Sequence, residues 1–440
     1  MSECTINAAF IGHVNSGKST TAGHLTFKFG GLALEVMRKF VKEASAMGKE
    51  SHKYAWVYDR LDAEREEELS MDISTLKFDS SKYLVNVIDT PGHQDYITNM
   101  IPGVALADCA VLVVSAKNGE FEESMSPNGQ TREFLLIANA MGKGDIIVAV
   151  NKMDATSPPY SEARFNEVVS ELQNYMKSIR VNPSTIPFIP ISGYNGDNLG
   201  EPSLNMPWFR RCSAPCGMES MGTLLQALNC VHAPSRATDI PLRVSIYDVD
   251  VGSFEIILAG KVESGHLKSG MSVTTAPSNK TTVVKNVEIH HSACDRASAG
   301  QIVTFTVSDV AEEDIKRGSL VGDSNNNPPR CVKSFIAEMA IVNYAGEIHG
   351  GYTCYLFIHT AKIACKFVEI EEKLDNRREL VESNPDSVKN GDFAIVRVEP
   401  TEPMSAESVS RFPQLGRFIV RDMDHTCTVA IGFIREVINE

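Results

Sequence analysis

Residues 6–20 read Ile6-Asn-Ala-Ala-Phe-Ile11 and then Gly12-His13-Val14-Asn15-Ser16-Gly17-Lys18-Ser19-Thr20. The apolar run has the length and content of a buried strand, and a helical stretch begins directly after the loop. Between them the spacing is G-x-x-x-x-G-K-[ST], in the strand–loop–helix setting that this motif requires. Each part has a physical reason. Glycines let successive backbone N–H groups turn toward one point with no Cβ in the way. Those N–H groups and the helix N-terminus form a nest for the β- and γ-phosphates of a nucleotide. Lys18 adds a positive charge for the phosphates, and the Ser19 hydroxyl is a ligand for Mg²⁺.

Working outward, apolar runs recur at 83–89, 109–116, 145–150 and 187–192, with helix-period stretches at 30–48, 129–142 and 161–179. Near-continuous apolar strands alternating with helices predict a parallel-rich sheet covered on both faces. The polar segment 232–240 ends the pattern. After it, short runs of Val, Ile, Thr and Phe alternate with polar residues at 243–248, 256–263, 271–275, 280–289 and 301–307. A second linker, 325–330 (NNNPPR), precedes further runs at 333–343, 353–359, 365–371, 393–398, 417–421 and 426–435. Period-two alternation broken by Gly, Ser and Asn predicts antiparallel barrels. The expected architecture is one phosphate-loop α/β domain over 1–232 and two β-barrels, over 233–327 and 328–440.

Composition narrows the function. Of 440 residues, 42 are Lys or Arg and 56 are Asp or Glu, a formal net charge of −14. Generic polyanion binding is therefore not expected, and any nucleic-acid contact must be local. The ten cysteines are scattered. Cys212 and Cys216 lie close together, but no nearby Cys or His pair completes a zinc set. Reduced thiols in the cytoplasm fit best. No run of about 18 apolar residues is present, and residues 1–11 lack the character of a secretory signal, so no membrane association is expected.

Residues Asn151-Lys152-Met153-Asp154 follow the strand 145–150, where a loop at a strand's carboxyl end faces the ligand crevice. A carboxylate here selects guanine, because it accepts from both N1–H and the 2-amino group, a donor pair adenine lacks. Asn151 can bond the base edge and tie neighbouring loops together, and the Lys152 stem can lie across the ring. Ser192-Gly193-Tyr194 closes the next strand end, where backbone N–H groups can reach the guanine carbonyl. Asp89-Thr90-Pro91-Gly92-His93 ends the strand 83–89. Asp89 can hold Mg²⁺ through a water. Gly92 can donate its N–H to the γ-phosphate, a bond lost on hydrolysis. His93 can orient the attacking water, as the catalytic residue of GTP hydrolysis to GDP and phosphate.

Together these residues resemble the translational GTPases, and further segments narrow the match to the elongation factor 1-alpha family. The segments are Lys53-Tyr-Ala-Trp-Val57, Gly129-Gln-Thr-Arg-Glu133, Ser192-Gly-Tyr-Asn-Gly-Asp-Asn198, Asn205-Met-Pro-Trp-Phe209, Glu263–Met271, His359–Phe367 and Gly416–Met423. Lys53–Val57 and Ile363–Phe367 follow the elongation-factor wording more closely than that of relatives in release and ribosome rescue. The resemblance implies a three-domain cytoplasmic GTPase that carries aminoacyl-tRNA to the ribosomal A site. It implies a separate guanine-nucleotide exchange factor, a Ser70 hydroxyl on Mg²⁺, and an apolar gate of Val14 and Leu69 beside the attacking water. Binding to actin is a further partner the family suggests.

The chain also departs from the family. Where the first switch of the family reads roughly E-R-E-R-G-I-T, this chain has Glu64-Arg-Glu-Glu-Glu-Leu-Ser70. Asn15 replaces the phosphate-loop Asp, and the hairpin near 248–255 is short. No lysine-rich segment follows the last strand. Two alternatives stay open at this level. One is a GTPase of the same build that escorts a release or rescue factor. The other is a non-enzymatic paralogue kept as a scaffold, against which the intact Lys18, Asp89, His93 and Asp154 argue.

Overall fold

The computed structural model describes residues 4–59, 62–67, 70–126, 129–209, 221–232, 235–252, 255–290, 292–308, 310–423 and 427–439, with 62, 63 and 66 described by backbone alone. Leu69, Glu68, Cys212 and Cys216 lie outside the described residues. The chain divides into two compact units, Met1–Asn139 with Lys143–Pro234, and Ser235–Glu440 with Ala140–Gly142.

The first unit runs β1 (Thr5–Ile11), α1 (Lys18–Lys28), α2 (Leu34–Ala46), α3 (Asp62–Glu67), β2 (Ser74–Asp79), β3 (Leu84–Asp89), α4 (Ile97–Leu106), β4 (Cys109–Ser115), α5 (Glu120–Met125), α6 (Gln130–Ala140), β5 (Asp145–Asn151), α7 (Glu162–Ser178), β6 (Phe188–Pro190) and α8 (Leu224–Cys230). The sheet order is β2-β3-β1-β4-β5-β6, parallel except for the β2–β3 pair. All seven residues of β4 are buried, as helices on both faces require. The antiparallel edge strand β2 has no counterpart in the sequence reading. Its sequence STLKFD is half polar, and three successive residues in it are only partly covered, so no clean two-residue period marks it. Helix α7 begins where Ser161 Oγ accepts from Arg164 N at 3.3 Å, an N-cap the sequence shows plainly.

Parallel pairing brings the carboxyl ends of β1, β3, β4, β5 and β6 to one edge. Phe10 pairs with Asp89, and Ser115 pairs with Asn151. The loops that follow therefore emerge side by side, which is where open α/β sheets bind ligands.

The second unit holds two closed barrels of six antiparallel strands each. The first uses Arg243–Val251, Ile256–Ser264, Ser272–Ala276, Lys280–Ile289, Ile302–Ser308 and Leu320–Asp323, closed by pairing of Ser272–Ala276 with Lys280–Ile289. Burial alternates strictly along Ile302–Ser308, with Val303, Phe305 and Val307 inward. The closing strand Leu320–Asp323 is only four residues long and escaped the sequence reading. The second barrel uses Val332–Ile341, Thr353–Ile358, Ala361–Leu374, Phe393–Pro400, Arg417–Arg421 and Thr428–Asn439 around a core that includes Phe335, Phe367 and Phe418. Between the barrels the Arg243 side chain is buried, donating from Nε to Glu407 Oε1 at 2.6 Å.

Candidate functional site

The loop after β1 delivers Gly17 at the N-cap of α1 with φ +87°, a left-handed value that favours glycine. A Cβ there would sit 2.3 Å from Asn151 Nδ2, so the residue must be glycine for the loop to close against β5. Asn15 also takes a positive φ of 60°, a conformation Asn tolerates better than most residues. The Lys18 side chain folds back over the loop, and Nζ donates to His13 O at 3.1 Å. It is buried, and burial pushes its ammonium down to about 8, against the pull of Asp89. A Cβ on Gly92 would meet Lys18 Nζ at 2.2 Å and the backbone oxygen of Gly12 at 2.7 Å, and since that backbone cannot swing aside as a lysine can, the loop after β3 lies against the phosphate loop with no room for a side chain here. Thr90 Oγ1 donates to Phe10 O at 2.8 Å and fixes that loop to β1, beside the buried Pro91.

Ser19 Oγ donates to Asp89 Oδ2 at 2.6 Å and lies 3.2 Å from Ser70 Oγ. Ser70 Oγ in turn is 3.4 Å from Asp59 Oδ1. Burial raises Asp89 to about 6, opposed by the Ser19 hydrogen bond and by Lys18. Burial raises Asp59 to about 8, reinforced by the charges of Asp89 and Glu64. Asp89 Oδ1 is buried and has no hydrogen-bond partner among the described residues. Hydroxyl and carboxylate oxygens with a local excess of negative charge form a donor set that suits a hard divalent cation.

At the end of β5, both arms of the Asn151 amide are engaged. Nδ2 donates to Ser16 O at 2.8 Å, and Oδ1 accepts from Gly193 N at 2.8 Å. Asn151 thus ties the phosphate loop to the 192–194 turn. Lys152 has φ 60° and donates from Nζ to Glu120 Oε2 at 2.8 Å. Met153 is buried, its N–H donating to Ile191 O at 3.2 Å. The Asp154 carboxylate makes no hydrogen bond to the described residues and lines the cleft. Ser192 is buried, its Oγ accepting from Asn195 N at 3.2 Å, and Tyr194 projects 43% exposed.

These loops enclose one cleft of about 450 Å³. Of the expected site residues, Val14, Asn15, Gly17, Lys18, Ser19, Thr20, Ser70, Gly92, Asn151, Lys152, Asp154 and Tyr194 line it, whereas Gly12, His13, Ser16, Asp89, Thr90, Pro91, Met153, Ser192 and Gly193 are not part of its lining. His93 stands apart from this lining. Its Nδ1 accepts from Asp95 N at 3.3 Å and lies 3.4 Å from Asp95 Oδ2. Of the expected apolar gate, Val14 borders the cleft, whereas Leu69 lies outside the described residues. Sequence reasoning missed Glu120, Ser51, His52 and Ala55, which also line the cleft. It missed His24 as well, whose Nδ1 donates to Gly193 O at 2.8 Å while its ring stacks on Tyr54 at 4.1 Å. Ala55 belongs to the segment Lys53–Val57, which gave no sign of a place at the nucleotide, and the others sit in no motif; only the fold brings them to the site.

Comparison with known proteins gives this geometry its context. Residues 3–233 match the model of the elongation factor Tu GTP binding domain, 257–322 that of elongation factor Tu domain 2, and 334–435 the GTP-eEF1A C-terminal domain-like model. The elongation factor 1-alpha of Onchocerca volvulus is 52% identical over 436 residues, covering 98% of this chain and 94% of that protein. The chain belongs to the elongation factor 1-alpha family. Its first unit is accordingly a GTP-binding domain, and the protein is a translation elongation GTPase. Among solved structures, this chain shares its fold with the Saccharomyces cerevisiae Ski7 GTPase-like domain bound to GTP. That likeness has a TM-score of 0.81 at 20% identity over 98% of this chain and 97% of that one. The elongation factor SelB from Methanococcus maripaludis, in complex with a GTP analogue, aligns with a TM-score of 0.68 at 20% identity, over 99% and 80% of the two chains. Among the described residues no helix is long and apolar enough to cross a membrane.

Proposed function

We propose that the protein, in its GTP form, carries aminoacyl-tRNA to the ribosomal A site and hydrolyses GTP when the ribosome signals a match. The observation that carries this reading is the meeting, in one cleft, of Lys18, Ser19, Gly92, Asn151 and Asp154, with Asp89 bonded to Ser19 behind it, within a chain 52% identical to an elongation factor 1-alpha. Gly12, His13, Val14, Asn15, Ser16, Gly17 and Thr20 complete the loop around the phosphates, which Lys18 and the backbone N–H groups hold. Gly92 donates its N–H to the γ-phosphate. Asp154 accepts from the two guanine donors, Tyr194 of the 192–194 turn borders the base pocket, and Asn151, which holds the Gly193 N–H and so takes it from the guanine carbonyl the sequence reading gave it, keeps the three loops in register.

Ser19, Ser70 and, through water, Asp89 are the residues that hold Mg²⁺. The buried, unpartnered Asp89 Oδ1 supports this assignment. When bound, Mg²⁺ neutralises charge on the β- and γ-phosphate oxygens. His93 acts as the residue that orients the attacking water. It reaches that place by turning from its contact with Asp95, which ties fast hydrolysis to an outside trigger, the ribosome. A separate exchange factor and a cytoplasmic setting follow from the same family reading.

Ester protection tests the proposal. The protein loaded with a non-hydrolysable GTP analogue should slow spontaneous deacylation of aminoacyl-tRNA, and the GDP form should not. Equal deacylation in both forms would rule out tRNA delivery.

A further inference from the structure

We infer that Glu120 is a positioning residue of the nucleotide site: by gripping Nζ of Lys152 it pins the lysine stem along the base pocket and so sets how long a guanine nucleotide stays bound. The inference rests on the reading of 151–154 as the guanine-binding loop.

The sheet dictates the meeting. β4 and β5 pair in register at Ser115 and Asn151, so the segments that follow leave the sheet next to each other. The Ala116 N–H donating to Asn151 O at 2.7 Å carries that pairing one residue further. Lys152 then turns with φ 60° and extends its ammonium to Glu120 Oε2 at 2.8 Å. Ser115 Oγ donates to the same oxygen at 2.7 Å, and Lys117 Nζ donates to Oε1 at 2.9 Å. Three donors from two adjoining segments hold both oxygens, so the carboxylate has one orientation available. Burial works to raise its proton affinity, yet the hydrogen bonds from Lys117, Lys152 and Ser115 outweigh that and hold it down at about 2. It is charged throughout the range in which the protein works.

Two facts separate this from an ordinary surface ion pair. Glu120 and Lys152 both line the nucleotide cleft, beside Asp154 and Tyr194. Both side chains are also only 28% exposed, so solvent screens the pair incompletely. A free lysine stem gives up its rotamer freedom when a base docks against it, whereas a pinned stem has already done so. The gain therefore appears in nucleotide residence more than in folding stability, to which a part-exposed pair contributes little.

The test is the dissociation rate of GDP from the full-length protein, measured for the parent, Glu120→Gln, Lys152→Met and the double variant. Lys152→Met keeps the stem and removes the ammonium. Each single variant should release GDP about three- to fivefold faster, and the double variant no faster than either, since both remove one contact. Inosine diphosphate, which lacks the 2-amino group, should show the same factor, because the stem rests on the ring rather than on that edge. Lys117→Met should stay within about twofold, because Ser115 still holds the carboxylate. Should Glu120→Gln not accumulate as folded protein, Lys152→Met decides alone. Parent-like release from either single variant, a double variant whose rate is the product of the singles, or a loss confined to thermal stability would each overturn the inference. The guanine reading fails by a different result, a parent protein that binds ADP as tightly as GDP, and that result would take the inference with it.

Discussion

The Ser19 hydroxyl donates to the Asp89 carboxylate over 2.6 Å, joining the first residues of α1 to the last residue of β3. This bond links the phosphate loop to the switch loop at the point where Mg²⁺ is assigned. Ser19→Ala should remove the dependence of GDP release on Mg²⁺. In the parent, chelation with EDTA should speed release strongly. In the variant, release should already be fast in Mg²⁺, by about 10-fold or more, the scale of a hydrogen bond to a charged group. A variant that still responds to EDTA as the parent does would move the metal elsewhere.

Asp154→Asn should weaken GTP and favour xanthine nucleotide. The amide brings a donor of its own against the guanine donors, and losing a charge-assisted pair costs about 2–3 kcal/mol. Competition binding of GTP against XTP decides it, and an unchanged preference would remove Asp154 from base reading.

Gly17→Ala combines a left-handed φ of +87° with a Cβ 2.3 Å from Asn151 Nδ2. The side chain must push the amide off Ser16 O, and the backbone strain alone costs about 1–3 kcal/mol. The expected result is a lower thermal midpoint and loss of nucleotide affinity in the same variant. Equilibrium binding of a fluorescent GDP that matched the parent would contradict the tie between these loops.

His359, in the second unit, offers a pH test that uses no residue of the nucleotide cleft. It is buried in the second barrel, its Nε2 donating to Ser405 O at 3.3 Å, and burial lowers it to about 4. The folded state therefore keeps the ring neutral, while the unfolded chain protonates it near its ordinary value of about 6.5. Its stability contribution is present above pH about 6.5 and is lost as pH falls toward about 4, by up to roughly 3 kcal/mol. Urea unfolding of the parent and of His359→Gln across this range should show a steeper pH dependence in the parent. Parallel curves would mean the histidine does not titrate with folding.

The sequence carried most of the site because its chemistry is local. A phosphate loop needs its glycines, lysine and hydroxyl in one octapeptide, and the guanine loop needs its carboxylate three residues after Asn151. What it could not carry is register across strands. Glu120 reaches Lys152, and His24 reaches Gly193, only through the packing of separate elements. The short strands Ser74–Asp79 and Leu320–Asp323 were hidden for a related reason, since their pairing partners define them more than their own residues do.

The acidic run of the first switch shows the same limit. By sequence, Arg65 could serve as a solvated partner for the glutamates that follow. In the fold its guanidinium lies 5.5 Å from the centre of the Phe40 ring and 5.6 Å from that of Trp56, and Nε donates to Asp59 O at 2.9 Å. Glu64 is also turned inward, accepting from Met71 N at 2.9 Å, which leaves Glu67 exposed. Glu67→Arg, a swing of two charges, should therefore tighten aminoacyl-tRNA binding at low salt, by about 0.8–2 kcal/mol per phosphate within about 8–10 Å, with the gain shrinking as salt rises. Affinities that match the parent at low ionic strength would place this face away from the tRNA.

The central claim is hydrolysis gated by a codon match, and single-turnover kinetics reach it directly. The protein is loaded with GTP and aminoacyl-tRNA, then mixed with ribosomes programmed with a cognate or a non-cognate codon. The account predicts rapid hydrolysis with the cognate codon alone. It also predicts a fall of about 10²-fold or more in His93→Ala, the scale of a positioned catalytic group, with GTP affinity unchanged. Hydrolysis that is indifferent to the codon and to aminoacyl-tRNA, or a parent-like rate in His93→Ala, would contradict it.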